Sequence, residues 1–155
     1  MQNPLWDYAS TLYGLEGVAP ACLVLQDRFG IDVNLLMYAA WLARLQRRLG
    51  ATHVEALDAF VSDWRDQVVR PLRTLRRQLH AVAGASEFYD GVKALELQAE
   101  REQLDRMYAF FRDSGALTPA GHSLWDNLQA VAAFACPGEA GWEPAIGALV
   151  ALIPT

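Results

Sequence analysis

The most constraining feature of the chain is an apolar stretch between Asn34 and Arg44 that carries no charged residue. Its sequence, LLMYAAWLA, would place apolar side chains on every side of a helix. Other elements must surround a helix that is apolar all round. Because a membrane span takes about 20 apolar residues, the stretch is too short to cross a bilayer. The sequence therefore predicts a buried central helix over residues 32–49.

The length of the chain and the positions of its glycine and proline residues predict a single domain. A chain of 155 residues is about one domain's worth, so residues 1–155 are interpreted as a single unit. Glycine and proline lie at joints, and no alternating run indicates a strand. We predict an all-α bundle of about six or seven helices. Two boundaries are specific: a capping box of Thr52 and Glu55, and a helix that opens at Thr118-Pro119 and reaches Ala135.

Net charge and cysteine content indicate which partners and which cellular compartment to expect. The net charge of −5 argues against a general nucleic-acid binder, which would carry a basic excess. Cys22 and Cys136 form no CxxC motif and are interpreted as reduced, buried thiols. The N-terminus shows no basic region followed by an apolar one, as a secretory signal would. These features predict a cytoplasmic protein without a membrane span.

Opposite charges on two successive segments predict a long antiparallel helical hairpin over residues 53–113. Residues 64–80 hold five arginines and one aspartate, whereas residues 87–105 hold six acidic and two basic residues. If the chain folds back near Gly84, the numbers of facing residues sum to about 170, and flanking charges select that register. Pro71 should kink the first arm. The predicted pairs are His80 with Asp90, Arg73 with Glu96, Arg70 with Glu100, Arg65 with Asp105, and Asp58 with Arg112.

The central helix also suggests a ligand site. Asp32 and Asn34 form a polar patch at its start, and Trp6, Tyr38 and Trp41 would line an apolar cavity beside it. An apolar pocket with a few polar groups is typical of small-molecule binding. The alternative interpretation makes Asn34 a structural lock, since a buried amide needs hydrogen-bond partners.

The C-terminal segment is uncharged after Glu143. It forms the last helix of the core, or its stripe of apolar residues is left exposed as a dimer or partner contact. The stripe consists of Ile146, Leu149, Val150 and Ile153.

Chemistry-bearing motifs are sparse. Asp58, Asp63 and Asp66 share one helix, as in magnesium-dependent enzymes that handle diphosphates, but a second aspartate-rich motif is missing. No histidines have helical ligand spacing, and no phosphate-binding or nucleophile motif occurs. The sequence thus predicts no catalytic residues, no metal site and no cofactor.

One resemblance covers nearly the whole chain. The N-terminal third and the segment around Pro71 are similar to an uncharacterised family of short proteobacterial proteins, known as conserved hypothetical proteins of about 160 residues. The resemblance implies a bacterial cytosolic protein and no particular activity. It is carried by Leu5-Trp6, Leu12-Tyr13, Gly17-Val18, Cys22-Leu23, Leu25-Gln26-Asp27, Gly30 to Leu36, Trp41-Leu42, and Val68 to Arg73 with Arg76 to Leu79.

Two functions remain open from the sequence. The first is a non-enzymatic interaction or adaptor protein, which binds a protein partner or a second copy through the hairpin or the C-terminal stripe. The alternative is a binder of a small apolar or amphipathic molecule within the helical core. A magnesium-dependent, diphosphate-handling enzyme is a third hypothesis, which fewer features support.

Overall fold

The computed structural model describes residues 2–84, 86–115, 117–121 and 123–155. Those residues form helices and no strand, which confirms the all-α prediction. A π-helical segment, Arg65–Val69, joins α4 to α5 without a break, so the described helices make seven rods. The α-helices are α1 Pro4–Tyr13, α2 Val18–Phe29, α3 Val33–Arg44, α4 Ala51–Trp64, α5 Arg70–Ala83, α6 Glu87–Asp113, α7 Leu124–Ala135 and α8 Glu143–Leu152.

Helix α3 lies at the centre of the bundle, as its sequence predicts. Every residue from Leu35 to Leu42 is buried. The helix packs mainly on α7 and α1, and also on α2 and α6. Asp32 caps its N-terminus by accepting a hydrogen bond from the backbone N–H of Asn34 at 2.9 Å.

The central helix is shorter than predicted, because it ends at Arg44 and not at residue 49. Gln46 adopts a left-handed backbone conformation with φ of 55°, which stops the helix. The following residues pair with a distant segment: the Arg48 N–H donates to the Thr118 carbonyl, and the Ala120 N–H donates to the Gln46 carbonyl. The prediction of a helix opening at Thr118-Pro119 is therefore wrong, and α7 begins at Leu124.

Asn127 holds this pairing of segments in place. Its side chain is fully buried. Its amide oxygen accepts from the Leu49 N–H at 2.9 Å, and its amide nitrogen donates to the carbonyls of Arg47 at 2.9 Å and Ala39 at 3.2 Å. One side chain thus satisfies three backbone groups on α3 and on the segment after it.

The start of α4 also differs from the prediction. The N-cap is Gly50, with extended backbone and no side-chain capping bond, so Thr52 and Glu55 do not form a capping box. The helix begins one residue before Thr52 because the pairing of residues 46–48 fixes where the chain turns.

Pro71 produces a π-helical segment. Proline lacks an N–H and its ring collides with the carbonyl four residues earlier, here that of Gln67. Widening the preceding turn relieves that collision, and the Arg70 N–H donates to the Arg65 carbonyl five residues back. Arg65 and Val69 are the two buried residues of this segment.

The predicted hairpin is present, but its ion pairs are offset by two or three residues. The rings of Phe60 and Phe110 lie 5.4 Å apart and those of His80 and Tyr89 also 5.4 Å, as the predicted register requires. The salt bridges instead join Arg76 to Glu96 and Arg73 to Glu100. Helical side chains lean toward the N-terminus, so long side chains on antiparallel helices meet away from the level of their Cα atoms.

The remaining members of the predicted pairs make different contacts. The ring of His80 packs against that of Tyr89, not against Asp90. Asp58 binds Arg65 on its own rod. Arg70 also pairs within its rod, with Asp66. Asp105 accepts a hydrogen bond from Asn3, and Arg112 lies over the Tyr108 ring.

Candidate functional site

Arg65 occupies the centre of a buried charge network. Its side chain is 11% exposed, and its guanidinium contacts three carboxylates, those of Asp32, Asp58 and Asp66. The π-helical segment directs Arg65 inward, so one side chain joins the start of α3 to the middle of the α4–α5 rod. Burial disfavours the guanidinium charge, but the hydrogen bond from Arg65 to Asp58 and the charges of Asp32 and Asp58 outweigh that effect and raise the pKa of Arg65.

Gln103 links this network to α6. Its side chain is fully buried, and its amide nitrogen donates to Asp32 at 2.7 Å. Its amide oxygen has no hydrogen-bond partner among the residues that the structure describes. Asp32 thus caps α3, pairs with Arg65 and accepts from Gln103, which makes it the junction of three helical rods.

A polar cleft of about 320 Å³ opens beside Arg65, between α2 and the α4–α5 rod. Arginines dominate its wall, but each has a carboxylate within 3.3 Å. Arg77 pairs with Asp27 at 3.1 Å, and Arg73 with Glu100 at 3.2 Å. The cleft is lined by Gln26, Asp27, Gly30, Ile31, Asp32, Arg65, Val69, Arg70, Arg73 and Arg77.

The pairing of charges decides what this cleft can do. Burial and the neighbouring charge of Glu96 raise the pKa of Glu100, while Arg73 opposes the rise. An incoming anion would have to displace such carboxylates from their arginines. The arrangement therefore serves to hold α2, α3, α6 and the α4–α5 rod together.

The opposite flank of the hairpin carries exposed apolar side chains near the tip. We call it the outer hairpin face and define it by Leu75, Val82, Phe88 and Leu95. These side chains are respectively 41, 85, 69 and 53% exposed. Each pair of residues on one helix is seven apart, which places its members on one side of that helix. Arg73, Arg77 and Glu100 point to the other flank, toward the polar cleft.

The sequence-predicted ligand residues are dispersed. Tyr38 and Trp41 are buried with ring centroids 6.1 Å apart, and Trp41 packs edge-on against Tyr108 and Phe111. Trp6 lies under the guanidinium of Arg101.

The two polar members of that predicted set also separate. Asn34 makes one long hydrogen bond, 3.5 Å, to the Glu100 carbonyl. Of the five predicted ligand residues, Asp32 is the one that lines the polar cleft. The aromatic rings are thus part of the packed core around α3, and the predicted patch does not meet them at a common cavity mouth.

Tyr38 pairs with a histidine that sequence reasoning did not connect to it. The Tyr38 hydroxyl lies 2.8 Å from Nε2 of His53, and the two rings stack at 5.7 Å. Burial raises the pKa of Tyr38 and lowers that of His53. A neutral imidazole can accept from the hydroxyl or donate to it, depending on which ring nitrogen carries the proton, whereas a protonated imidazole can only donate.

This pair predicts a pH-dependent stability. Because the folded-state pKa of His53 lies below the ordinary 6.5, the unfolded chain binds more protons there as the pH falls. The free energy of unfolding should therefore decrease as the pH drops through 6.5, and the change should be smaller in His53→Gln. Urea unfolding at a series of pH values measures this. An equal slope in both proteins would contradict the assignment.

The C-terminal stripe packs inside the chain. Ile146, Leu149 and Ile153 are buried in the core, and Val150 is partly buried against it. Helix α8 docks on α2 and α7, as the core interpretation of this segment requires. A protein partner would meet the outward side of α8, not this stripe.

The three aspartates of α4 and the π-helical segment are separated by their contacts. Asp58 and Asp66 both bind Arg65, so a guanidinium already supplies their positive charge. Asp63 is exposed. Within the described part of the chain, no group of three or more histidine, cysteine or acidic side chains is arranged to hold a metal ion.

Sequence reasoning missed the importance of Arg65, Gln103 and Asn127. Polar residues at otherwise apolar helix positions were the available signal. Asn127 stands between Leu124 and Leu128 in an almost uncharged helix, and Gln103 precedes Leu104 on the packed side of α6. Their partners lie 71 to 88 residues away, which periodicity cannot reveal.

Comparison with known proteins gives a family and no activity. No helix within the described ranges is both long and apolar enough to span a membrane. Neither a curated protein nor a solved structure matches the chain. Residues 4–107 match the family described as "Protein of unknown function (DUF2390)". Since that match spans more than half of the 155 residues, the chain belongs to this family.

Proposed function

We propose that this protein is an interaction module whose docking surface is the outer hairpin face, and that a second copy of the chain occupies it. The observation that carries the proposal is the exposure of Val82, Phe88, Leu95 and Leu75 on one flank of the hairpin. A contiguous patch of exposed apolar side chains commonly marks a protein–protein interaction site.

The hairpin itself explains why this surface needs a partner. Helix α5 packs chiefly on α6 and the π-helical segment, and none of its residues 70–82 is buried. Its apolar residues recur at the three- and four-residue spacing of a coiled-coil seam: Leu72, Leu75, Leu79 and Val82. Two helices alone cannot enclose such a seam, so part of it faces water.

Charge favours a second copy as the occupant. Near the tip of the hairpin the residues that share this flank include the uncharged Thr74, Gln78, Gly91 and Gln98. The charged residues that follow further along α6, Glu102 and Arg106, pair with each other. Two copies related by a twofold axis would meet without like-charge repulsion, and their hairpins would form a four-helix bundle. The arginines and carboxylates around the polar cleft would remain on the far flank, paired within each copy.

The test replaces exposed leucines on the two flanks of α6. Leu95 and Leu97 are 53 and 54% exposed, so they match in residue type and exposure but differ in flank. The wild-type protein is expected to show twice the chain's mass in light scattering after size exclusion. Phe88→Gln combined with Leu95→Gln should give a monomer, whereas Leu97→Gln should remain a dimer.

Two results would overturn the proposal. One is a wild-type protein that stays monomeric at the highest attainable concentration. The other is dissociation by Leu97→Gln as readily as by the double variant. Circular dichroism of both variants checks that the helices are retained.

The proposal includes a bacterial cytoplasmic setting. Cys22 and Cys136 are free and buried, as thiols of a reducing compartment are. Burial raises the pKa of Cys22 to about 12, so its thiol is protonated and unreactive. The resemblance to proteobacterial proteins supports the same setting.

A further inference from the structure

A second cleft lies at the C-terminal end of the central helix, whereas the charge network lies at its N-terminus. The second cleft has a volume of about 490 Å³ and is lined by α1, α3, α7 and the end of α8. Ligand pockets commonly span about 300–1,000 Å³. Its floor is formed by two small residues of α3, Ala40 and Ala43, which leave room that a larger side chain would fill.

Part of the wall of this cleft is apolar. Leu124 and Trp125 come from α7, and Val150 and Ile153 from the C-terminal helix and its end. The Trp125 ring lies against α8 at Gly147, where an added Cβ would be 3.8 Å from the indole, an ordinary van der Waals contact. Burial of the C-terminal stripe thus builds one wall of a cavity.

The cleft is also lined by one positively charged side chain, that of Arg44. Arg44 lines the cleft and forms no ion pair with a carboxylate of the described residues, unlike the arginines of the polar cleft. Tyr8 and Gln46 line the same space, and their side chains can donate hydrogen bonds. Burial raises the pKa of Tyr8, and the charge of Arg44 opposes that rise, which indicates that the two groups are near each other.

We propose that this cleft binds a small organic carboxylate with an apolar body, such as a medium-chain fatty acid. The carboxylate would accept hydrogen bonds from Arg44 and Tyr8, and the chain would lie between Trp125, Val150 and Ile153. A guanidinium suits a carboxylate because it can donate two parallel hydrogen bonds. This site is separate from the outer hairpin face, so it does not depend on the interaction proposed above.

Isothermal titration calorimetry with decanoate and decanol, each below its aggregation limit, tests the proposal. Decanoate has both a carboxylate and an apolar chain, whereas decanol has the chain without the carboxylate. The wild-type protein is expected to bind decanoate saturably at one site per chain. Arg44→Gln should weaken decanoate binding at least tenfold and change decanol binding little. Arg48→Gln is the matched control, since Arg48 is exposed nearby but does not line the cleft.

Ala43→Leu tests the apolar half, because added bulk on the floor should block both ligands. Thermal melting checks that this variant is folded, and Arg44→Gln, at an exposed position, tests the proposal independently of it. The proposal fails if wild-type protein does not bind decanoate saturably. It also fails if Arg44→Gln and Arg48→Gln bind decanoate equally.

Discussion

Replacing Arg65 with methionine is expected to lower the free energy of unfolding by about 3–5 kcal/mol, the typical effect of removing one partner from a buried ion pair. The substitution keeps much of the apolar stem but leaves Asp32, Asp58 and Asp66 without their shared cation. Asp32 is also buried against Gln103 and cannot turn to water without breaking that hydrogen bond. The loss should therefore be large and cooperative.

Arg70→Met is the control for this prediction. Arg70 also binds Asp66, but both side chains are about half exposed, and such pairs contribute below about 1 kcal/mol. Urea unfolding followed by circular dichroism measures both variants. If Arg65→Met costs no more than Arg70→Met, the network around Arg65 does not hold the rods together.

Asn127→Ala is expected to cost about 2–4 kcal/mol, because a buried group left without its hydrogen-bond partner costs about 1–3 kcal/mol. Three backbone groups lose their hydrogen bond to this side chain: the Leu49 N–H and the carbonyls of Arg47 and Ala39. The buried Leu49 N–H is left without a partner, whereas the Arg47 carbonyl keeps its bond from the Ser123 hydroxyl. The segment that closes the central helix should loosen as well. Hydrogen exchange at the Leu49 amide should accelerate along with the loss of stability.

Asn34→Ala provides the comparison. Asn34 is the amide that the sequence suggests as a structural lock, yet its side chain makes a single hydrogen bond of 3.5 Å. Its replacement should cost less than about 1 kcal/mol, as for one typical hydrogen bond. Equal losses at the two positions would contradict the assignment of the lock to Asn127.

The parts of the fold that sequence predicts well are those that local chemistry dictates. Asn3 caps α1 through its side chain, Gly30 ends α2 in the left-handed conformation, and the apolar run from Leu35 to Leu42 is buried throughout. Each depends on residues within one or two helical turns. The charge blocks of the two arms likewise predict the hairpin correctly.

The errors share a cause in contacts between distant segments. Residues 45–50 have helix-compatible sequence, but pairing with residues 118–120 and the amide of Asn127 override that preference. The observed ion pairs are offset by two or three residues from the predicted ones. The charge pattern predicts which residues lie at the same level, but long side chains lean toward the N-terminus of their helix and meet residues at another level. Sequence detected that Pro71 disturbs the rod but not that Arg65 turns into the core as a result.

The same division applies to function. The hairpin is a predicted surface, whereas the cleft beside Arg44 depends on where α8 docks, which no local pattern encodes. The predicted site near Trp41 is filled by packed rings. Cavities arise where large side chains are absent between elements, and Ala40 and Ala43 produce that effect only once α7 and α8 are placed.

Hydrogen exchange of the distal hairpin in dilute and concentrated wild-type protein tests the central claim most directly. An unsupported pair of helices opens readily, and burial of its seam by a second copy slows that opening. We predict that amides in residues 72–82 and 88–98 become more protected as concentration rises, while those of α3 and α7 do not change. Protection of the hairpin that is independent of concentration would contradict the account.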